Sequence, residues 1–481
     1  MNLAAYRTDA EEFVSSLDRE YYRHFAGLQD SFDIEPIYER HAGLFSRDNV
    51  RRLREEGTSQ LVEFAVHGLF GRDTKAEQAE LARREASLEI ELDGERMSYR
   101  QSAVIQANER DPERRAAIEA ARLEAGAREL DPLLREVLER SHALTRELGW
   151  PSFRAMCEEL SGIDLGALEA QTSEFLEASE DAYEPVVSGP LERELGYGFD
   201  RFRRADMPFF FGAPTLDGDY SDARLLASLE QTLAALALDP PGVILDVEQR
   251  PNKTPRAFCS PVHVPDEVYL VIARRGGRDD YETLYHEAGH AQHFAHMPAS
   301  LPMEHRYLGD NSITESFAFL FQHLTQDAAW LRARLDIEDS GAIEAQARAV
   351  KLVFLRRYAA KLSYELELHS APPALDPLRD VYGRRLSDAL HVEWPGQGWL
   401  SDVDPFFYAA CYLRAWALET HVRRLLHQRF GEHWFDEPEA GEFLKTLFAE
   451  GQRLRGDELL SQLTGAELDF SALLDDLALA A

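Results

Sequence analysis

Lysine is nearly missing: only Lys75, Lys253, Lys351, Lys361 and Lys445 occur in 481 residues. Lysine and arginine together number 52 against 86 aspartates and glutamates, a formal net charge of −34. So acidic a chain repels polyanions, which argues against nucleic acid as a partner. Acidic helical surfaces also serve solubility alone, so the charge by itself selects no partner. Cysteine is scarcer still. Cys157, Cys259 and Cys411 are far apart, odd in number and never spaced as a CxxC pair, which suggests neither a disulfide framework nor a cysteine-only metal site. No run approaches the ~18 apolar residues of a membrane span, and the N-terminus reaches acidic residues before an apolar signal core forms. No membrane partner is expected, and the cytoplasm is the expected location. Gly/Ser linkers, low-complexity tracts and fixed-period repeats are absent too, which predicts one body spanning 1–481. A helical N-terminal part with a lid-like lobe is expected over 1–180, and a catalytic part over 181–481.

What is present is mostly helical pattern. Phe13, Leu17, Tyr21 and Phe25 recur every fourth position and form one stripe of an amphipathic helix. Ala-, Leu-, Glu- and Arg-rich stretches at 109–148, 164–183, 222–238, 340–368 and 409–430 favour helix by propensity and period. Strand signals are few. Leu88, Ile90 and Leu92 alternate ahead of Asp93-Gly94, a hairpin-type turn. Between Arg256 and Ala273, β-branched and aromatic residues broken by Pro261 and Pro265 predict two short strands, and Gly276-Gly277 then turns the chain into a helix. Asp279 is placed to cap that helix with Glu282 completing a capping box, and Pro298 lies past its end.

Within that helix runs His286-Glu287-Ala288-Gly289-His290. Histidines at i and i+4 project from one face, so both imidazoles can reach one zinc ion, and Glu287 then faces the water on the metal. Zinc lowers the pKa of such a water towards about 7, and a neighbouring carboxylate takes its proton as it attacks a carbonyl. A catalytic zinc needs a third protein ligand and one open position. Two candidates exist. His296 has the spacing of a third histidine, but His293 stands where that pattern carries a glycine, and no methionine follows Met303. Glu315, 25 residues beyond His290, is the better one: an acid among Ile313, Phe317, Phe319 and Phe321, whose burial a zinc ion would compensate.

Together these residues resemble the gluzincin peptidases of the thimet oligopeptidase and oligoendopeptidase F family, with angiotensin-converting enzyme a more distant relative. The match runs through His-Glu-Ala-Gly-His-Ala-Gln-His at 286–293, the strands from Ala257 to Leu270, and LFAEGQRLRGDELLSQLTG near the C-terminus. It covers roughly 181 to the end. The resemblance implies one zinc per chain on His286, His290 and Glu315, Glu287 as general base, and oligopeptide substrates. It also implies a mainly α fold, with two helical lobes around a deep substrate cleft and a small antiparallel sheet beside the zinc helix. Tyr408 and Tyr412, i and i+4 on one helical face, look like the family's oxyanion-steadying tyrosines, with His391 as the alternative donor. A carboxypeptidase or dipeptidyl carboxypeptidase activity would need a fixed cation for the substrate C-terminus, and Arg414 is the residue nominated. A non-catalytic peptide-binding scaffold is the reading outside the enzyme class.

Overall fold

The computed structural model describes residues 2–370 and 374–479. The fold is mainly α, as the periodicity predicts. The chain forms two compact units that interleave in sequence. The first comprises Met1–Ala65, Leu216–Glu344 and Arg414–Asp476. The second comprises Val66–Thr215, Ala345–Leu413 and Leu477–Ala481.

The second unit carries the hairpin read from Leu88, Ile90 and Leu92. Strands β1 (Glu89–Leu92) and β2 (Glu95–Ser98) pair antiparallel, with Leu92 opposite Glu95. Asp93 and Gly94 both take positive φ, 53° and 81°, the two-residue turn whose twist suits a hairpin. Ile90 alone of β1 is buried, against Ile118 and Ala125. Buried charge in this unit is paired. Arg115 Nε donates to Asp206 Oδ1 at 2.9 Å, and the Arg356 guanidinium lies 4.5 Å over the Tyr183 ring while its Nε donates to the Ala389 carbonyl.

The first unit holds the other sheet: β3 (Val243–Asp246), β4 (Phe258–His263) and β5 (Glu267–Val271), in the order β3-β5-β4. The two strands expected from the sequence are β4 and β5, antiparallel, with Cys259 opposite Leu270. The sheet is not purely antiparallel, because β3 adds a parallel strand on the far side of β5. Its pattern, Val-Ile-Leu-Asp after Pro240-Pro241, is too short to declare a strand without its partner. The register slips between Ser260 and His263, where Pro261 has no N–H to offer the ladder. The N-terminal helix Leu3–Phe25 packs on this sheet: Tyr22 stacks on Tyr269 at 3.6 Å and its hydroxyl donates to Asp246 Oδ2.

After β5 the chain turns at Gly276 and Gly277, φ 89° and 90°, into the histidine helix, Arg278–Ala295. Asp279 does not cap it. Gly277 is the N-cap residue, and the upstream amides go elsewhere: Asp280 Oδ2 accepts from Arg275 N and Gly276 N, and Asp217 Oδ1 accepts from Arg278 N at 3.0 Å. Glu282 closes no capping box but takes Arg278 Nη1 at 2.5 Å. Positive φ at Gly277 starts the helix two residues early, which puts Asp279 inside the first turn. Tyr281, Leu284, Tyr285 and Ala288 point inward at the i, i+3, i+4, i+7 spacing, all fully buried, and Tyr285 donates to Ser228 Oγ. The helix ends at His296, whose Nδ1 lies 2.8 Å from the Gln292 carbonyl.

Candidate metal centre

The glutamate helix, Asn311–Leu324, lies directly against the histidine helix. Asp310 caps it, its carboxylate accepting from Ser312 N at 3.0 Å. Gly289 permits the close approach: a Cβ there would meet the Phe317 carbonyl oxygen at 2.4 Å and Ala318 Cα at 2.6 Å, both backbone atoms that cannot yield cheaply. Across this interface the glutamate helix contributes three side chains. Glu315 Oε2 lies 3.5 Å from His286 Nε2 and 3.7 Å from His290 Nε2. Gln322 Oε1 lies 3.0 Å from His286 Nδ1, and Thr314 Oγ1 lies 2.8 Å from His290 Nδ1.

Those outer partners orient the rings. A carbonyl oxygen at Nδ1 of His286 can only accept, so the proton sits on Nδ1 and the Nε2 lone pair is turned inward. Two Nε2 atoms and a carboxylate oxygen then converge within 4.8 Å of one another, and among the described residues this is the group so arranged. One cation at that point would be bound by all three groups. A tetrahedral zinc with ligands at about 2.0–2.1 Å sets ligand separations near 3.4 Å, close to the two measured here. The donor set therefore fits zinc, which would supply the counter-charge that Glu315, 6% exposed, needs. Phe319 covers the His286 ring edge-on at 5.3 Å and stacks on Trp416 at 5.0 Å.

Glu287 sits beside this group, held from the sheet. Its Oε2 accepts from the Cys259 amide of β4 at 2.8 Å. Burial pushes its carboxyl up to about 7, against the opposing pull of His286 and the Cys259 amide. Burial likewise lowers His290 to about 4. Burial also pulls His286 down, but Glu315 and Glu287 outweigh it and the net direction is up.

His296 is not in the group; it ends the helix and lies with its ring tilted against Phe448 at 5.8 Å. His293 is fully buried against Phe317 and Phe448, a packing residue one turn past the second histidine. Arg414 is no open cation. Its Nη2 donates to Asp310 Oδ2 and Asp457 Oδ1, both at 2.8 Å, and Asp310 also accepts from Gly456 N. His391 has both ring nitrogens committed, to Glu184 and Glu180 at 3.1 and 2.9 Å. Tyr408 and Tyr412 belong to the second unit, half-buried, with rings 5.0 Å apart and Tyr358 edge-on to Tyr412 at 5.5 Å. Thr314, Gln322 and the Cys259 amide escape a sequence reading. The first two share the Glu315 helix at spacings of one and seven from it, but no pattern distinguishes them from other polar helix residues.

No family model matches the chain, and no curated protein matches it in sequence. Solved structures do. A Bacillus anthracis str. Ames protein described as an oligoendopeptidase F aligns over 97% of this chain and 88% of its own, with a TM-score of 0.65 and 15% identity. PZ peptidase A, solved with an inhibitor, aligns over 97% and 90%, with a TM-score of 0.69 and 16% identity. This chain shares their fold. The fold thus extends across nearly the whole length of the chain, well beyond the segment that carries the sequence resemblance. The three cysteines form no disulfide, and among the described residues no helix is long and apolar enough to cross a membrane.

Proposed function

We propose that this chain is a zinc metallopeptidase of the oligopeptidase type, acting on peptide bonds of short peptides. The observation that carries the reading is the convergence of His286 Nε2, His290 Nε2 and Glu315 beside the Glu287 carboxyl, which the Cys259 amide holds in place. The fold shared with an oligoendopeptidase F and PZ peptidase A supports it. His286, His290 and Glu315 would hold the metal, with Gln322 and Thr314 fixing ring orientation as outer partners do in metal sites. Zinc bound there supplies a Lewis acid for the attacking water and the scissile carbonyl.

The remaining steps belong to the chain. Glu287 holds one oxygen on the Cys259 amide and offers the other to the water's proton, which it then passes to the leaving amine. Tyr408 and Tyr412 are assigned to the oxyanion, each able to donate a phenol O–H more strongly to the developing charge than to the ground-state carbonyl. Internal cleavage is favoured over a C-terminal mode, because Arg414 is already neutralised by two carboxylates. A cytoplasmic, oligopeptide-directed role completes the proposal.

The test is metal analysis joined to peptide digestion. Purified protein should contain one zinc per chain and cut a synthetic peptide library at internal bonds, read by mass spectrometry. Chelation should abolish cutting and zinc should restore it. Active protein without a stoichiometric transition metal would end the zinc reading.

A further inference from the structure

Beside the Glu287 anchor lies a cavity of about 300 Å³, lined by Asp18, Tyr21 and Phe25 of the N-terminal helix, by Thr254 and by residues from Arg256 to Ser260. That volume is at the lower end of those that hold small ligands. Cys259 belongs to its wall and donates its amide to Glu287, so the cavity adjoins the candidate centre. Tyr21, Phe25 and nearby Phe32 are 37–39% exposed, an unusual outlay of aromatic surface, and they pack on each other at 5.1–5.8 Å, with Phe258 6.4 Å from Phe25.

Asp18 is the exception in this aromatic wall. Its backbone carbonyl accepts from Ser260 Oγ at 3.0 Å, but its carboxylate has no hydrogen bond or ion pair among the described residues. Burial alone pushes that carboxyl up to about 7, with no cation opposing it. Arg256 also lines the cavity, yet it is exposed and makes no ion pair with Asp18. A half-buried carboxylate that lines a cavity together with Tyr21, Phe25 and Phe258 can receive a cation, which the aromatic rings would attract as well.

We infer that this cavity is a specificity pocket for a cationic group of the substrate peptide, with Asp18 as counter-charge and Tyr21, Phe25 and Phe258 as its walls. The inference rests on the peptidase reading for the word substrate, but the pocket can be read without catalysis. Two sources share the chemistry, an arginine or lysine side chain and a free N-terminal ammonium.

Titration calorimetry on the zinc-loaded protein separates them. The probes are N-acetyl-arginine amide, its neutral isostere N-acetyl-citrulline amide, and alanine amide with a free amine. We expect a cationic probe to bind at least about tenfold more tightly than the citrulline compound, and Asp18→Asn to erase the difference, since a charge-assisted bond is about twice as strong as a neutral one. Tyr21→Leu, which keeps the carboxylate, should weaken the same probe several-fold. If the arginine side chain is the source, N-acetyl-arginine amide carries the preference; if the ammonium is, alanine amide does. Citrulline binding equal to both cations, or full cation preference in the Asp18→Asn variant, overturns the inference. Cation selectivity without any peptide cleavage would leave the pocket standing and remove the peptidase reading instead.

Discussion

Gly289 lies so close to Phe317 that a single added methyl would sit 2.4 Å from its carbonyl oxygen. The two helices that carry the candidate ligands are thus spaced by the absence of a side chain. Gly289→Ala should force them apart, at a cost of about 1–3 kcal/mol for overpacking. Since Glu315, Thr314 and Gln322 sit on the far helix, zinc affinity should fall by more than tenfold in a competition titration. Unchanged affinity would mean that the backbones can part without moving Glu315.

Glu315→Ala should strip the zinc, whereas His296→Ala should leave metal content unchanged, because His296 points to its own helix end. Glu287→Gln should keep the metal and its amide partner Cys259 while lowering kcat/KM by at least about 10²-fold, the usual size of general-base loss. Elemental analysis and steady-state kinetics on the same preparations distinguish ligand from base.

Changing Tyr408 or Tyr412 to Phe removes one hydroxyl and little else. At least one variant should lose about 10²-fold in kcat with KM and melting temperature held, the mark of an interaction made only in the transition state. Full kcat in both would return the pair to packing against Tyr358.

Arg414 is 7% exposed and neutralises Asp310, the cap of the glutamate helix. Arg414→Met should therefore destabilise by about 3–5 kcal/mol, since it leaves a buried carboxylate without its partner. It should not alter the ratio of cleavage between C-terminally amidated and free peptides, which wild-type protein should already cut equally well. A strong preference for free C-termini would instead favour the carboxypeptidase mode and require another cation.

In the second unit, His142 Nε2 and His369 Nδ1 share one hydrogen bond at 3.0 Å, both rings buried and His369 stacked on Phe153. Burial, helped by Arg146, holds His142 down to about 4, and burial with His142 holds His369 well below its usual value. Above about pH 6.5 neither folded nor unfolded chain protonates them, so stability is unaffected. Below it the unfolded chain gains protons that the folded one refuses, and stability falls as pH drops from about 6.5 towards 4. Denaturant midpoints at pH 7.5, 6 and 5 should decline in that order, and His369→Gln should flatten the slope.

The sequence was most legible where spacing and chemistry coincide. The period of four, the Asp-Gly hairpin and the two strands before the histidine helix are local patterns, and each is where expected. The approach of Glu315 to His286 and His290 was legible as well, because an acid among phenylalanines demands a compensating charge. The helix start was misplaced, since Gly277 begins the helix ahead of Asp279 and Asp217, distant in sequence, takes the Arg278 amide of its first turn. The parallel strand β3 was invisible for a related reason: four residues become a strand only when β5 is there to pair with them.

By itself, the order of residues determined the mainly α composition and the candidate metal-ligating residue types with their spacing. These follow from periodicities and functional groups carried within one helix or one short segment. Tertiary structure alone decided that Gln322 and Thr314 orient the rings, that the Cys259 amide holds Glu287, that Arg414 is consumed by Asp310 and Asp457, and that Asp18 faces a cavity with no partner. Each of those depends on groups brought together from distant parts of the chain, and a hydrogen bond or ion pair is set by distance in space, for which separation along the chain holds no measure.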